Sequence, residues 1–414
     1  MHWLIEWAQA LTSRSITTSD AGPRPPWWHH AVSLACLIVS GWGILRLTAR
    51  ALERQAVWSD FAIFHATVNR WLDGLPMYGR GIRLLGTNAT EGVNFNPPQF
   101  HLLVLPFARL DVWPGLLWFQ VTNILAGCLC AAVVVRTLRP GWSMMATALT
   151  IAVLVNSAAL SSTLWLGQMS LLLAVPVTLG WRAWHLGRPV EAAAWIGVAA
   201  SIKPFLFILF PYLLIKREWR AVVGGAVAWA LSFALGVAVF GFAALRGWLD
   251  AAQWPNWVAH FQNASFHAYV GRVMLEWPGE IVARVGSAAG IIATIWIASK
   301  RDRDAAWALL MTGALLWAPL GWVYYEWFIV PPLATLIVQR RLPGIAWVLT
   351  IAFVWPISVV ALRITGTFLD IEFVRSIYFW GLLGLWLLLC SSRLEVPQTS
   401  DTRQAPAVAP ALPA

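Results

Sequence analysis

Apolar windows of about 20 residues, the length that crosses the hydrocarbon of a bilayer, recur along nearly the whole chain. A polypeptide of this kind has few options, because every backbone polar group inside lipid must be satisfied internally, as a helix does. The windows fall near 30–49, 113–135, 143–162, 168–185, 219–243, 283–299, 304–318, 324–339, 344–363 and 374–391. Two shorter stretches, 190–202 and 204–215, meet at Lys203-Pro204 and read as short helices joined at a proline break, while 97–110 reads as re-entrant. The expected fold is an all-α integral membrane bundle of about 12 transmembrane helices. Composition agrees: 59% of residues are apolar and 12% charged, against about 25% charged in soluble domains, which excludes a water-soluble enzyme and a disordered chain.

The net charge of +10 would suggest nucleic acid on a soluble chain. In a membrane it sets topology, so no nucleic-acid partner is expected. Arg136/Arg139, Arg182/Arg188, Lys216/Arg217/Arg220, Lys300/Arg301/Arg303, Arg340/Arg341 and Arg393 occupy alternate connections, which places them on one, cytoplasmic, side. The other face then carries two long loops, 50–96 and 244–282, with the turns at Gln168, Lys203 and 317–326. Residues 1–29 are expected as a cytoplasmic N-terminal segment without a signal peptide, 30–392 as the transmembrane domain and 393–414 as a disordered cytoplasmic tail. The four cysteines read as inert core residues, and no metal site is legible, since His260 and His267 lack a close acidic partner.

The first outer loop is the richest in chemistry. Ser59 is a good N-cap, Phe61, Phe64, Val68 and Trp71 recur at helical spacing, and Gly74 with Pro76 ends the run, which predicts an amphipathic helix at the interface. Asp60 in its first turn either complements the helix dipole or serves as a base whose pKa desolvation raises. His65, one turn on, reads as a surface histidine against headgroups or as a relay partner for Asp60. Lys203 between apolar runs costs about 2.5–3.5 kcal/mol at a helix centre unless it snorkels or finds an anion; a lipid phosphate satisfies it. Outer tryptophans such as Trp254, Trp257 and Trp322 either anchor at headgroups or stack on sugars.

Asp60-Phe61 with Phe64, Trp71-Leu72-Asp73-Gly74 and Tyr78, followed by Asn96-Pro97-Pro98, resembles the amino-terminal signature of glycosyltransferase family 87. The likeness continues through Gly167-Gln168-Met169-Ser170-Leu171, Gly197 to Ser201-Ile202-Lys203-Pro204, Asn263-Ala264-Ser265 with Arg272, and Pro319, Trp322 and Tyr325. It implies a GT-C type multispanning enzyme that takes a sugar, typically mannose, from a polyprenyl phosphate and gives it to a lipid or glycan acceptor on the extracytoplasmic face of the cell membrane. The resemblance carries the catalytic base onto Asp60. Donor phosphate binding is expected at Lys203, Arg83 and Arg272, and substrate positioning at Gln168, Asn263, Trp322, Tyr324 and Tyr325. Where the family has Ser-Pro-x-Ser-Trp-x-His, this chain has Ala318, Gly321 and Tyr324 at the polar positions. A neutral tyrosine hydrogen-bonds but does not take a proton near pH 7. Glu326 close by supplies a carboxylate or pairs with an arginine. No cofactor is expected, and the need for a divalent metal stays open. A transporter or lipid flippase, and a noncatalytic partner in envelope assembly, are the competing readings.

Overall fold

The computed structural model describes residues 31–49 in part, 59–79, 94–138, 157–252, 260, 262–274, 277–339, 341–342, 345 and 375–391. Among these the chain is all-helical, apart from one isolated bridge between Asn263 and Trp322. Three described helices are long and apolar enough to cross a bilayer: α2 (Val112–Leu138), α7 (Trp219–Ala251) and α9 (Trp277–Ser299). Residues 143–156 of the expected span 143–162, the expected span 344–363 apart from Ile345, the loop residues 80–93 with Arg83, Trp254 and Trp257, and the expected terminal segments 1–29 and 393–414 lie outside the described residues.

The helix expected after Ser59 is present as α1 (Asp60–Leu72), but eight of its 13 residues, Phe61, Ala62 and Phe64 to Asn69, are buried, so it packs into the protein rather than lying with one face at the interface. α3 (Ala158–Leu166) leads through Gly167 into α4 (Ser170–His185). α4 and α5 (Pro189–Ile202) form a hairpin whose arms are about 24 and 21 Å long at 1.5 Å per residue. Such matched lengths return Lys203, just past α5, to the level of Gln168, just before α4. α6 (Leu209–Ile215) follows a 3₁₀ turn at Pro204–Ile208. The chain closes with α8 (Phe266–Val273), α10 (Arg303–Trp317), α11 (Val330–Val338) and α12 (Ile377–Cys390).

α5 and α7 cross at backbone contact. A side chain at Gly197 would meet the Gly225 carbonyl, and one at Gly225 would fall 2.8 Å from the Ala193 carbonyl. Small residues permit this approach, the means by which helices associate tightly without water to drive them together. The opposite face of α7 shows Val223, Val227, Leu231 and Leu235 at i, i+4 spacing, all exposed.

Three expectations change. The 324–339 window is not one helix but a 3₁₀ segment, Val323–Phe328, followed by nine-residue α11. The stretch read as an outer loop, 244–282, carries helix at both ends: the arm of α7 beyond Gly241 runs to Ala251, and α9 begins at Trp277. Within α7, Gly241 at φ 83° reverses the chain so sharply that Phe233 and Trp248 pack with ring centroids 5.9 Å apart.

The basic connections meet at the end of the bundle away from Lys203. His185 pairs with Asp304 at 2.8 Å, Gln339 donates to Asp304 at 2.7 Å, Arg341 pairs with Asp302, and Lys216 reaches the Ser299 carbonyl at 3.3 Å.

Candidate active site

α1 is set by its own caps and pinned by its neighbours. Ser59 Oγ accepts from the Ala62 N–H at 3.2 Å, which starts the helix and puts Asp60 in the first turn. Phe61, Phe64 and Val68 are buried on one side. His65 is buried too and bonds the Leu110 carbonyl at 2.9 Å, while Asn69 donates to the Ala108 carbonyl at 2.8 Å. These bonds tie α1 to the end of the 97–110 stretch, just past its two 3₁₀ turns. His65 is thus buried rather than placed against headgroups, and its described hydrogen bonds go to Leu110 and Asn69 rather than to Asp60.

Gly167 delivers Gln168. It caps α3 in the left-handed region at φ 64°, and a side chain there would meet the Phe61 Cβ at 2.7 Å. The turn aims the Gln168 amide at Asp60, and its Nε2 donates to Oδ2. Gly167→Ala is expected to cost about 1–3 kcal/mol in backbone strain alone, with the clash added. The thermal midpoint of the purified protein in detergent should fall by several degrees; an unchanged midpoint would show that the turn is not under this constraint.

Lys203 is delivered by the residue that follows it. Pro204 disfavours the helical region for its predecessor, and Lys203 accordingly leaves α5 extended, at φ −126° and ψ 95°. Its ammonium donates to Asn96 Oδ1 at 2.8 Å and lies over the Tyr325 ring, 5.3 Å from the centroid.

A third piece comes from two strand-like segments paired for a single step. Ala264 N–H donates to the Gly321 carbonyl at 2.8 Å and Val323 N–H to the Gln262 carbonyl at 2.9 Å. Asn263 staples this corner, donating to the Pro319 carbonyl at 2.9 Å and accepting from the Gly321 N–H at 2.9 Å. Gly321 is required there, since a Cβ would enter the Leu315 carbonyl. The corner presents Trp322 and Tyr324 with parallel rings, 5.8 Å apart and tilted by 9°.

These pieces enclose a cavity of ≈ 230 Å³. Asp60, Gln168, Lys203, Trp322 and Tyr324 line it, as do Asn94, Asn96, His260, Gln262 and the apolar Ile63, Phe64, Phe95, Leu166 and Leu320. Among the described residues that line it, Asp60 is the only carboxylate and Lys203 the only lysine or arginine. Burial raises the Asp60 pKa to about 6, against the Gln168 hydrogen bond and the Lys203 charge, which both pull it down.

The other expected site residues lie elsewhere. Asn263 is spent on the corner. Arg272 donates to the carbonyls of His260 at 2.9 Å and Asn263 at 3.1 Å and to Ser376 Oγ at 3.2 Å, so it braces the cavity wall from behind. Tyr325 faces Lys203 and packs on Phe205 outside the lining. Glu326 is buried without a hydrogen-bond partner and pairs with no arginine among the described residues. No described group of His, Cys, Asp and Glu has the makings of a metal site. Asn94 and Gln262 escaped the sequence reading; the Asn-x-Asn run before the double proline was a signal for the first, and nothing local marks the second.

The arrangement offers a proton acceptor, a cation and a pair of stacked aromatic rings around a space of about one sugar. A curated relative, an alpha-(1->3)-arabinofuranosyltransferase of Corynebacterium glutamicum, is 25% identical over 355 residues, covering 79% of each chain. A polyprenol-phosphate-mannose-dependent alpha-(1-2)-phosphatidylinositol mannoside mannosyltransferase of Mycobacterium tuberculosis is 26% identical over 277 residues, 63% of this chain and 59% of that one. No solved structure matches. The sequence model of glycosyltransferase family 87 covers residues 94–323, which takes in the Asn-Pro-Pro loop, Gln168, Lys203 and Trp322. With more than half its length inside that match, the chain belongs to glycosyltransferase family 87.

Proposed function

We propose that the cavity moves a sugar, mannose, from a polyprenyl phosphate to a hydroxyl of a lipid or glycan acceptor at the extracytoplasmic face, with inversion. The observation that carries this reading is the shared cavity of Asp60 and Lys203. Gln168 occupies Asp60 Oδ2, which leaves Oδ1 to take the acceptor proton. The acceptor oxygen bonds to the anomeric carbon as the bond from that carbon to the phosphate oxygen breaks. The electron pair stays on the polyprenyl phosphate, whose charge Lys203 holds. Asp60, the one carboxylate among the described lining residues, suits a base in a single displacement. Trp322 and Tyr324 give an apolar platform for a sugar face, with Tyr324 as a hydrogen-bonding group only.

Two findings support the donor and the side. One relative's name specifies polyprenol-phosphate-mannose, and the basic connections gather at the end of the bundle opposite the cavity. Family membership does not favour a transporter. The test is transfer by the purified protein in liposomes, with radiolabelled polyprenyl-phosphate mannose and, in parallel, the arabinofuranose analogue, each with extracted glycolipids. Labelled glycolipid from the mannose donor alone is expected; transfer only from the arabinofuranose donor would overturn mannose, and transfer from neither would overturn the reading. The same reactions with EDTA decide the metal requirement.

A further inference from the structure

The orientation of the Lys203 ammonium is dictated by a run of hydrogen bonds that begins on the backbone of α1. Thr67, fully buried on that helix, donates its hydroxyl hydrogen to the Ile63 carbonyl at 2.7 Å. Its oxygen is left as an acceptor, and Asn94 Nδ2 donates to it at 3.0 Å. The same amide group meets His101 Nε2 at 2.6 Å, which makes that nitrogen the unprotonated one and leaves Nδ1–H for the Pro97 carbonyl at 3.2 Å. With its nitrogen side fixed twice, Asn94 must turn its oxygen the other way. Asn94 Oδ1 accepts from the Asn96 N–H at 3.0 Å and from Asn96 Nδ2 at 3.3 Å. Asn96 therefore has one orientation as well, and its Oδ1 is the atom that meets Lys203 Nζ at 2.8 Å.

Every amide in this run is determined by the one before it. Reversing either asparagine would set donor against donor or acceptor against acceptor, at sites where Asn94 is 2% and Asn96 8% exposed and water offers no ready substitute. The helix that carries Asp60 at its first turn thus also sets, from its second and third turns, where the cation stands.

We infer that Thr67 and Asn94 are positioning residues for the donor phosphate, acting through Asn96 on Lys203 and holding the cation in register with Asp60. The inference rests on Lys203 binding that phosphate. Thr67 does not line the cavity, so an effect on donor binding has to be transmitted.

The test exploits the difference between shape and oxygen. Thr67→Val keeps the shape and removes the acceptor; Thr67→Ser keeps the acceptor and removes a methyl. With polyprenyl phosphate as probe, Thr67→Val is expected to weaken binding about five- to tenfold, the loss associated with an unpaired buried donor. Thr67→Ser should stay within about twofold of the unmodified chain. The KM for the glycolipid acceptor should be unchanged in both. The reverse order of Val and Ser, equal losses in both, or acceptor KM moving in step with donor affinity would show a packing role and overturn the inference. Normal affinity in Thr67→Val would also overturn it. Asn94→Leu, one bond nearer and at a residue that itself lines the cavity, should show the same donor-selective loss, and an unchanged donor affinity there would also overturn the inference. Should the unmodified chain bind no polyprenyl phosphate, the functional reading fails and this inference with it; binding by the unmodified chain with the wrong variant pattern removes the inference alone.

Discussion

Asp60→Asn is expected to abolish sugar transfer while the protein still folds, inserts and binds polyprenyl phosphate. The substitution is nearly isosteric, and the Gln168 amide can turn its oxygen to the new donor. What is lost is the proton acceptor, a contribution of about 10²–10⁴-fold in rate for general-base catalysis. The same residue sets the pH profile. Transfer needs the ionised carboxylate, so kcat/KM should rise with pH through about 6 and level off above it, where an unperturbed aspartate would already be ionised near 4. The stability effect has the opposite sign. A carboxyl whose pKa is raised by folding binds its proton more tightly when folded, so its ionisation destabilises the fold progressively as pH rises from about 4 to about 6. At pH 7.5 the Asn variant should therefore melt no lower than the unmodified protein, and by differential scanning in detergent somewhat higher. Transfer within tenfold of normal would remove Asp60 as the base.

Lys203→Gln tests the other half of the site. The amide retains a donor for Asn96 Oδ1 and deletes the charge. Because leaving-group charge develops as the anomeric bond breaks, the loss should fall on kcat as well as on donor affinity, by about 10²–10³-fold in rate, as when one oxyanion donor is removed. Acceptor KM should stay near its normal value. Lys203→Arg is not expected to restore full function, since the larger guanidinium spreads its charge over three nitrogens where the site holds a compact ammonium between Asn96 and the Tyr325 ring. Normal turnover by Lys203→Gln, measured under saturating donor, would exclude a role in holding the phosphate.

Much of this architecture was readable because its causes are local. The Ser59 cap and the spacing of Phe61, Phe64 and Val68 define α1 without reference to the rest of the chain, and Pro204 forces the break that frees Lys203. The termini of α2, α4 and α10 follow the edges of apolar runs within a few residues. Contacts between distant segments were the unreadable part. His65 looked like a surface residue because its burial depends on the Leu110 carbonyl, 45 positions away. Asn263 and Arg272 carry the residue types of a binding site, but the corner at 319–321 and the His260 carbonyl consume them. Gly241 sits in an apolar run indistinguishable from the one around Gly236. The first reverses the chain, and the second merely lets Gln99 approach, with a Cβ there falling 2.6 Å from the Gln99 nitrogen.

The reversal at Gly241 ties the membrane-length part of α7 to the wall of the cavity. The part of α7 before it, Trp219–Phe240, is about 33 Å long, close to the roughly 30 Å hydrocarbon depth. The folded-back arm then places Trp248 between that helix and the cavity: its ring packs on Phe233, and its indole N–H bonds the Phe95 carbonyl at 2.9 Å, in the middle of the Asn94–Asn96 loop. A helix whose apolar length exceeds the hydrocarbon depth tilts, and this one touches the 95–99 loop at two places, through the Trp248 indole and where Gln99 packs on Gly236. The membrane-length helix and the loop that seats the ammonium are therefore two sides of one packed contact.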